Sequence, residues 1–148
     1  MRTVSDILSS KTKPSNVLAP NALVIEALQM MKAQNLSYVI VKEGNAFKGI
    51  FSERNYSRDV ALEGKSSATC PVQEAMAKNP QLISPEHSVE ECIQIILETG
   101  SRYLPVMNEG EFEGVVTIHD IMREALRSKE ALFDSSLADR LIEEGGIY

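Results

Sequence analysis

The chain repeats itself. Shifting residues 17–61 forward by 65 lays them on residues 82–126 without a gap, and nine positions coincide: Pro20/Pro85, Val24/Val89, Glu26/Glu91, Gln29/Gln94, Tyr38/Tyr103, Val41/Val106, Phe47/Phe112, Gly49/Gly114 and Arg58/Arg123. Other positions keep their character, as in Ile50-Phe51-Ser52 against Val115-Val116-Thr117. A half of roughly 65 residues buries only a marginal core by itself. Two copies in one chain can cover each other's apolar faces, and the seam between them is then a pseudo-symmetric cleft, where a ligand is expected.

Each copy reads in the same order. In the first, Val17-Leu18 precedes the turn and helix-start signal Ala19-Pro20-Asn21. Val24, Ala27, Leu28 and Met31 recur at i, i+3, i+4 and i+7, which predicts an amphipathic helix over about 22–35. Tyr38-Val39-Ile40-Val41 reads as a short buried strand, Gly44-Asn45 as a tight hairpin, and Phe47 to Phe51 as the return strand, with a helix starting near Ser52. The second copy predicts a strand at Leu82-Ile83, a helix over 88–99 stopped by Gly100, and strands over 102–107 and 112–117 joined by Asn108-Glu109-Gly110, then a helix. The expected fold class is α+β, two pseudo-symmetric strand-helix-strand-strand-helix units packed through their sheets. Repeat 1 spans 1–66, repeat 2 spans 67–128, and 129–148 forms a tail with a helix from Ser136 to Gly145-Gly146.

Charge and composition exclude several functions. With 15 Lys and Arg against 21 Asp and Glu the net charge is -6, which disfavours nucleic acid and anionic membranes as partners. No apolar run approaches the roughly 18 residues that span a bilayer. The opening Met1-Arg-Thr-Val-Ser-Asp-Ile-Leu lacks the apolar stretch of a signal peptide and reads as a copy of Val72-Gln-Glu-Ala-Met76. A cytoplasmic protein is expected. Cys70 and Cys92 have no metal-type spacing and read as reduced structural thiols.

The chemistry concentrates after the third strand of each copy. In the second it runs Gly114-Val-Val-Thr117-Ile-His119-Asp120-Ile-Met-Arg123. Thr117 falls where strand becomes helix, so its hydroxyl can cap the helix or bind phosphate beside free N–H groups at the positive end of the helix dipole. Asp120 is one turn further on, with a carboxylate suited to accepting bonds from two ribose hydroxyls. Thr-x-x-Asp is also an ordinary capping arrangement. Its reappearance as Ser52-Glu53-Arg54-Asn55, at the same place in a duplicated unit, favours a site.

Repeat and motif together resemble the CBS (cystathionine-β-synthase-type) domain, which occurs in tandem pairs, over roughly residues 4–127. Gly49-Ile-Phe-Ser-Glu-Arg-Asn-Tyr-Ser-Arg58 is similar to that family's Gly-Ile-x-Ser/Thr-Glu-Arg-Asp-Tyr-x-Arg signature, and Arg102-Tyr-Leu-Pro-Val106 to its Arg-His-Leu-Pro-Val strand. Gly145-Gly-Ile-Tyr148 resembles the ending of small stand-alone CBS-pair proteins. The resemblance implies a regulatory module that binds an adenine nucleotide (AMP, ATP or NAD) in the cleft between repeats and passes ligand state to a partner. It also implies a flat homodimer. Thr117 and Asp120 match the phosphate- and ribose-contacting positions of the second motif, with His119 between them, and Ser52 and Asn55, flanking Glu53 and Arg54, match those of the first. Tyr38, Val39, Ile40 and Tyr103, Leu104, Pro105 match strand positions flanking the base, while Arg54, Arg58 and Arg102 suit phosphate.

Asn55 departs from the pattern, which has Asp there. A hydrogen bond to a charged group contributes about 1.5–3 kcal/mol and a neutral one about 0.5–1.5. The first site should therefore bind several-fold more weakly than the second. The alternative function is a ligand-free structural or interaction scaffold with decayed sites, and Asn55 is its support. No Ser-His-Asp, Cys-His or metal constellation points to an enzyme, and no catalytic cofactor is expected.

Overall fold

The computed structural model describes residues 2–128, so the expected tail and its helix lie outside the described residues. The elements are α1 (Val4–Ser9), β1 (Val17–Leu18), α2 (Val24–Gln34), β2 (Tyr38–Glu43), β3 (Ala46–Ser52), α3 (Glu53–Asn55), α4 (Val89–Thr99), β4 (Tyr103–Asn108), β5 (Glu111–Thr117) and α5 (Ile118–Ser128). A π-helical turn at Tyr56–Ala61 continues α3, and a 3₁₀ turn at Val72–Glu74 precedes the second copy. The mixture of helices and two small sheets is the α+β class expected.

Local chemistry sets the element ends. Ser88 Oγ accepts from the Glu91 N–H at 3.1 Å while Glu91 Oε1 accepts from the Ser88 N–H at 3.0 Å, a reciprocal cap that starts α4. At α1 the Asp6 carboxylate accepts from the Thr3 N–H at 2.9 Å and from the Thr3 hydroxyl at 3.2 Å. Gly100 ends α4 and Asn35 ends α2, both in the left-handed conformation. Gly44 and Glu109-Gly110, all at positive φ, turn the two hairpins.

The two hairpins share one irregularity. The ladder shifts register between Val41 and Lys42 in the first and between Val106 and Met107 in the second. Gly49 faces Val41 and Gly114 faces Val106 across these bulges. The glycines answer different needs. Gly114 sits at φ 149°, whereas a Cβ at Gly49 would land on the Ala77 carbonyl oxygen.

One sequence expectation fails. β1 pairs in parallel with β2 through Val17↔Ile40 and Leu18↔Val41, but Leu82-Ile83 forms no strand, only a single parallel bridge between Ile83 and Val106. The Ile40 N–H donates to Asn16 O at 2.8 Å. Its repeat counterpart is Pro105, which has no N–H to donate, so the ladder there loses that rung.

Only one of the two packing units is a contiguous stretch. One unit consists of the described residues up to Lys13 together with those from Gln81 onward, and the other is Pro14–Pro80. In the first unit, Val4 N donates to His87 O, Ser5 N to Pro85 O and Val89 N to Arg2 O. In the second unit, Val72 N donates to Ala22 O, Gln73 N to Pro20 O and Val24 N to Cys70 O. These are the same three bonds moved by the repeat. The segment that opens each copy thus closes the unit built from the other copy's sheet. Val4 and Ile7 are buried with Val89, Ile93, Leu104 and Ile121, while Val72 and Ala75 are buried with Val24, Ala27, Val39 and Phe51. Each fully buried Val or Ile contributes about 1.5–3 kcal/mol, enough to hold a short segment in place.

Candidate functional site

The strand–helix junction is built alike in both units. Ser52 ends β3 opposite Tyr38, and Thr117 ends β5 opposite Tyr103. The next residue's N–H returns to the neighbouring strand: Glu53 N donates to Ser37 O at 3.1 Å and Ile118 N to Arg102 O at 2.9 Å. That bond turns the chain out of the sheet and starts the helix.

At the second junction Asp120 Oδ2 accepts from the Thr117 N–H at 2.9 Å, and Thr117 Oγ1 accepts from the Asp120 N–H at 3.2 Å. The capping arrangement is therefore present, and the N–H groups of Ile118 and Asp120 are spent rather than open to a phosphate. Side-chain cations gather at the same place. Lys11 Nζ donates to Asp120 Oδ2 at 2.7 Å and to Val115 O at 2.9 Å, and Arg123 Nη1 lies 3.5 Å from Asp120 Oδ1. Asp120 is only 8% exposed, so its charge is compensated mainly by these cations. A polar recess of about 90 Å³ opens beside it, lined by Ile7, Ser10, Lys11, Asp120, Arg123, Glu124 and Arg127. Glu124 is buried and paired with Arg2, whose guanidinium pKa that hydrogen bond and charge raise.

The first junction carries the same cap with neutral groups. Asn55 Oδ1 accepts from the Ser52 N–H at 2.9 Å and from Ser52 Oγ at 3.0 Å, and Asn55 N donates to Ser52 Oγ at 3.4 Å. The amide's other end donates to Asp59 Oδ2 at 3.3 Å. Asp59 is the repeat counterpart of Glu124, and this carboxylate has a different partner in each copy. Glu124 pairs with the Arg2 guanidinium, and Asp59 accepts from the neutral Asn55 amide. A second carboxylate at position 55 would face Asp59 one turn away, which gives Asn55 a structural reason to be there.

The remaining sequence-derived residues divide by burial. Val39 and Leu104 lie in the cores of their units, fully buried. Strand alternation turns their neighbours Tyr38, Ile40, Tyr103 and Pro105 to the opposite face of each sheet. His119, Glu53, Arg54 and Arg58 are exposed, and Arg102 is half-buried on the strand beside Thr117. The structure thus brings Ser52 together with Asn55, and Thr117 with Asp120. It adds Lys11, which motif reading passed over because its partner lies 109 residues away. The available signal was indirect: Lys11 opens the linker that exceeds its equivalent after Met76 by three residues.

Among the described residues no group of three or more His, Cys, Asp or Glu side chains is placed to hold a metal ion, and no helix is long and apolar enough to cross a membrane. Cys70 and Cys92 are buried free thiols, and burial pushes the Cys92 thiol up to about 12.

The model of the CBS domain matches this chain twice, over residues 4–60 and 72–127. The chain belongs to the CBS domain family. It carries two CBS domains, the small tandem pair that the duplication implied. It is 31% identical over 130 residues to the mitochondrial CBS domain-containing protein CBSX3 of Arabidopsis thaliana, covering 82% of this chain and 63% of that one. The chain thus spans less than two thirds of that relative. Among solved structures, a putative signal-transduction protein with CBS domains from Burkholderia ambifaria superposes with a TM-score of 0.80 at 28% identity, covering 90% of this chain and 99% of that one. CBSX2 in complex with AMP superposes with a TM-score of 0.70 at 26% identity, covering 86% and 98%.

Proposed function

We propose that this CBS pair is a regulatory module that binds an adenine nucleotide of the AMP, ATP or NAD type at the Thr117–Asp120 junction and signals its ligand state to a partner protein. The observation that carries this reading is the buried Asp120 carboxylate, set at a strand–helix junction among Lys11, Arg123 and Arg127. A carboxylate in that setting can accept from a ribose diol, and the cations match a phosphate. The AMP complex of CBSX2, a structure of the same fold, supports the ligand class. A homodimer belongs to the same reading. The first junction supports the scaffold alternative for its own copy, because both ends of the Asn55 amide are engaged within the protein.

A thermal-shift panel with AMP, ADP, ATP, NAD(H) and S-adenosylmethionine tests the proposal. A ligand at 100 times its Kd stabilises the native state by about 2.7 kcal/mol. For a chain of this size that corresponds to a rise of roughly 5–10 °C. Asp120→Ala should remove most of the shift. If no nucleotide moves the transition, the scaffold reading takes its place.

A further inference from the structure

Asp120 Oδ2 already holds two donors, the Thr117 N–H at 2.9 Å and the Lys11 ammonium at 2.7 Å. A carboxylate oxygen offers about two lone-pair directions, so this one is filled. Among the described residues Oδ1 faces the Arg123 guanidinium, at 3.5 Å. A ribose diol that sets one hydroxyl on each oxygen of Asp120 would need the position that Lys11 holds.

Lys11 is well placed to hold it and able to leave it. Its backbone N–H donates to Leu8 O at 3.1 Å, which fixes the residue just past the end of α1. Its ammonium has three donors, of which Val115 O takes one at 2.9 Å. Its side chain is 29% exposed and opens onto the recess beside it. The arrangement is peculiar to this copy. At the equivalent place after the 3₁₀ turn the chain has Asn79, and the counterpart of Asp120 is the neutral Asn55.

We propose that Lys11 is an internal competitor for the second site: it occupies the Asp120 carboxylate in the empty protein and is displaced by the ribose of the incoming nucleotide. This rests on the nucleotide reading given above and adds a mode of regulation to it. The contact sets a concentration threshold for binding. It also links the site to α1, since displacement of Lys11 frees the segment that α1 anchors.

The test uses the full chain and two ligands. Adenosine carries the diol without a phosphate, so any attraction of Lys11 for phosphate is absent, and AMP carries both. By calorimetry, Lys11→Met should bind adenosine about tenfold more tightly than the wild type, the size of one charge-assisted bond of a partly exposed pair. In the wild type, acylation of Lys11 by a water-soluble succinimidyl ester, read by mass spectrometry, should quicken when AMP is bound. This second measurement needs no variant and stands if Lys11→Met folds poorly. If the wild type binds AMP but Lys11→Met gains nothing for adenosine and Lys11 labelling does not change, the competitor is overturned and the nucleotide site stands. If neither protein binds adenosine or AMP at millimolar concentration, both proposals fall together.

Discussion

Replacing Asp120 by Asn and by Ala separates the charge of this side chain from its role as a cap. Asn keeps an acceptor for the Thr117 N–H, as Asn55 does for Ser52 at 2.9 Å, but loses the charge that faces Lys11 and Arg123. The Arg123 contact is 59% exposed on the arginine side and contributes a few tenths of a kcal/mol. The Lys11 bond falls from about 1.5–3 kcal/mol for a charged acceptor to about 0.5–1.5 for a neutral one. The Asn variant should therefore lose about 1–1.5 kcal/mol. Ala removes the cap as well, about 1 kcal/mol, and leaves the ammonium without its carboxylate, for a total of about 3 kcal/mol. At roughly 2–4 °C per kcal/mol, melting should fall by about 2–6 °C for Asn and about 6–12 °C for Ala. Equilibrium unfolding in urea, with m unchanged, checks the free energies directly. Equal losses for Asn and Ala would refute the idea that cap and charge act separately. Losses under about 0.5 kcal/mol for both would refute the geometry itself.

The exchange of opening segments predicts where damage appears. Ile7→Ala should cost about 2–4 kcal/mol, and hydrogen exchange should show the loss of protection in β4 and β5 rather than in β2 and β3, although Ile7 precedes β2 in the chain. Asn55→Asp should destabilise the protein by about 0.5 kcal/mol at neutral pH through repulsion with Asp59, and Asp59→Asn should relieve most of that loss in a double-mutant cycle. Raising the Cys92 thiol from its ordinary 9.0 to about 12 means that the native state keeps a proton the unfolded chain releases. Its contribution is thus complete below pH 9.0 and declines as pH rises towards about 12. Subtracting the urea stability profile of Cys92→Ala from that of the wild type should show this decline, and a flat difference would contradict it.

Much of the fold was legible from local pattern. The apolar spacing at Val24, Ala27 and Met31 is a helix in α2, and Gly44 and Gly110 mark hairpin turns where only a positive φ closes the chain. Even the missing strand at Leu82-Ile83 had a local cause in Pro105, visible once its partner across the sheet was known. The capping pairs at Ser52/Asn55 and Thr117/Asp120 were legible for the same reason, because each connects residues three apart.

What the sequence determined by itself, then, was the duplicated architecture and the two junctions, since both depend on interactions between near neighbours repeated at a constant offset. Tertiary structure alone decided which segment completes which unit and how each junction is charged. Val4 docks on His87, Arg2 on Glu124 and Lys11 on Asp120, all pairs separated by more than half the chain. No periodicity encodes such pairs, because they arise only when packing brings a buried carboxylate within reach of a distant cation. For that reason the asymmetry between Asn55 and Asp120 reads in the sequence as a lost charge, and in the structure as two different partners for Asp59 and Glu124.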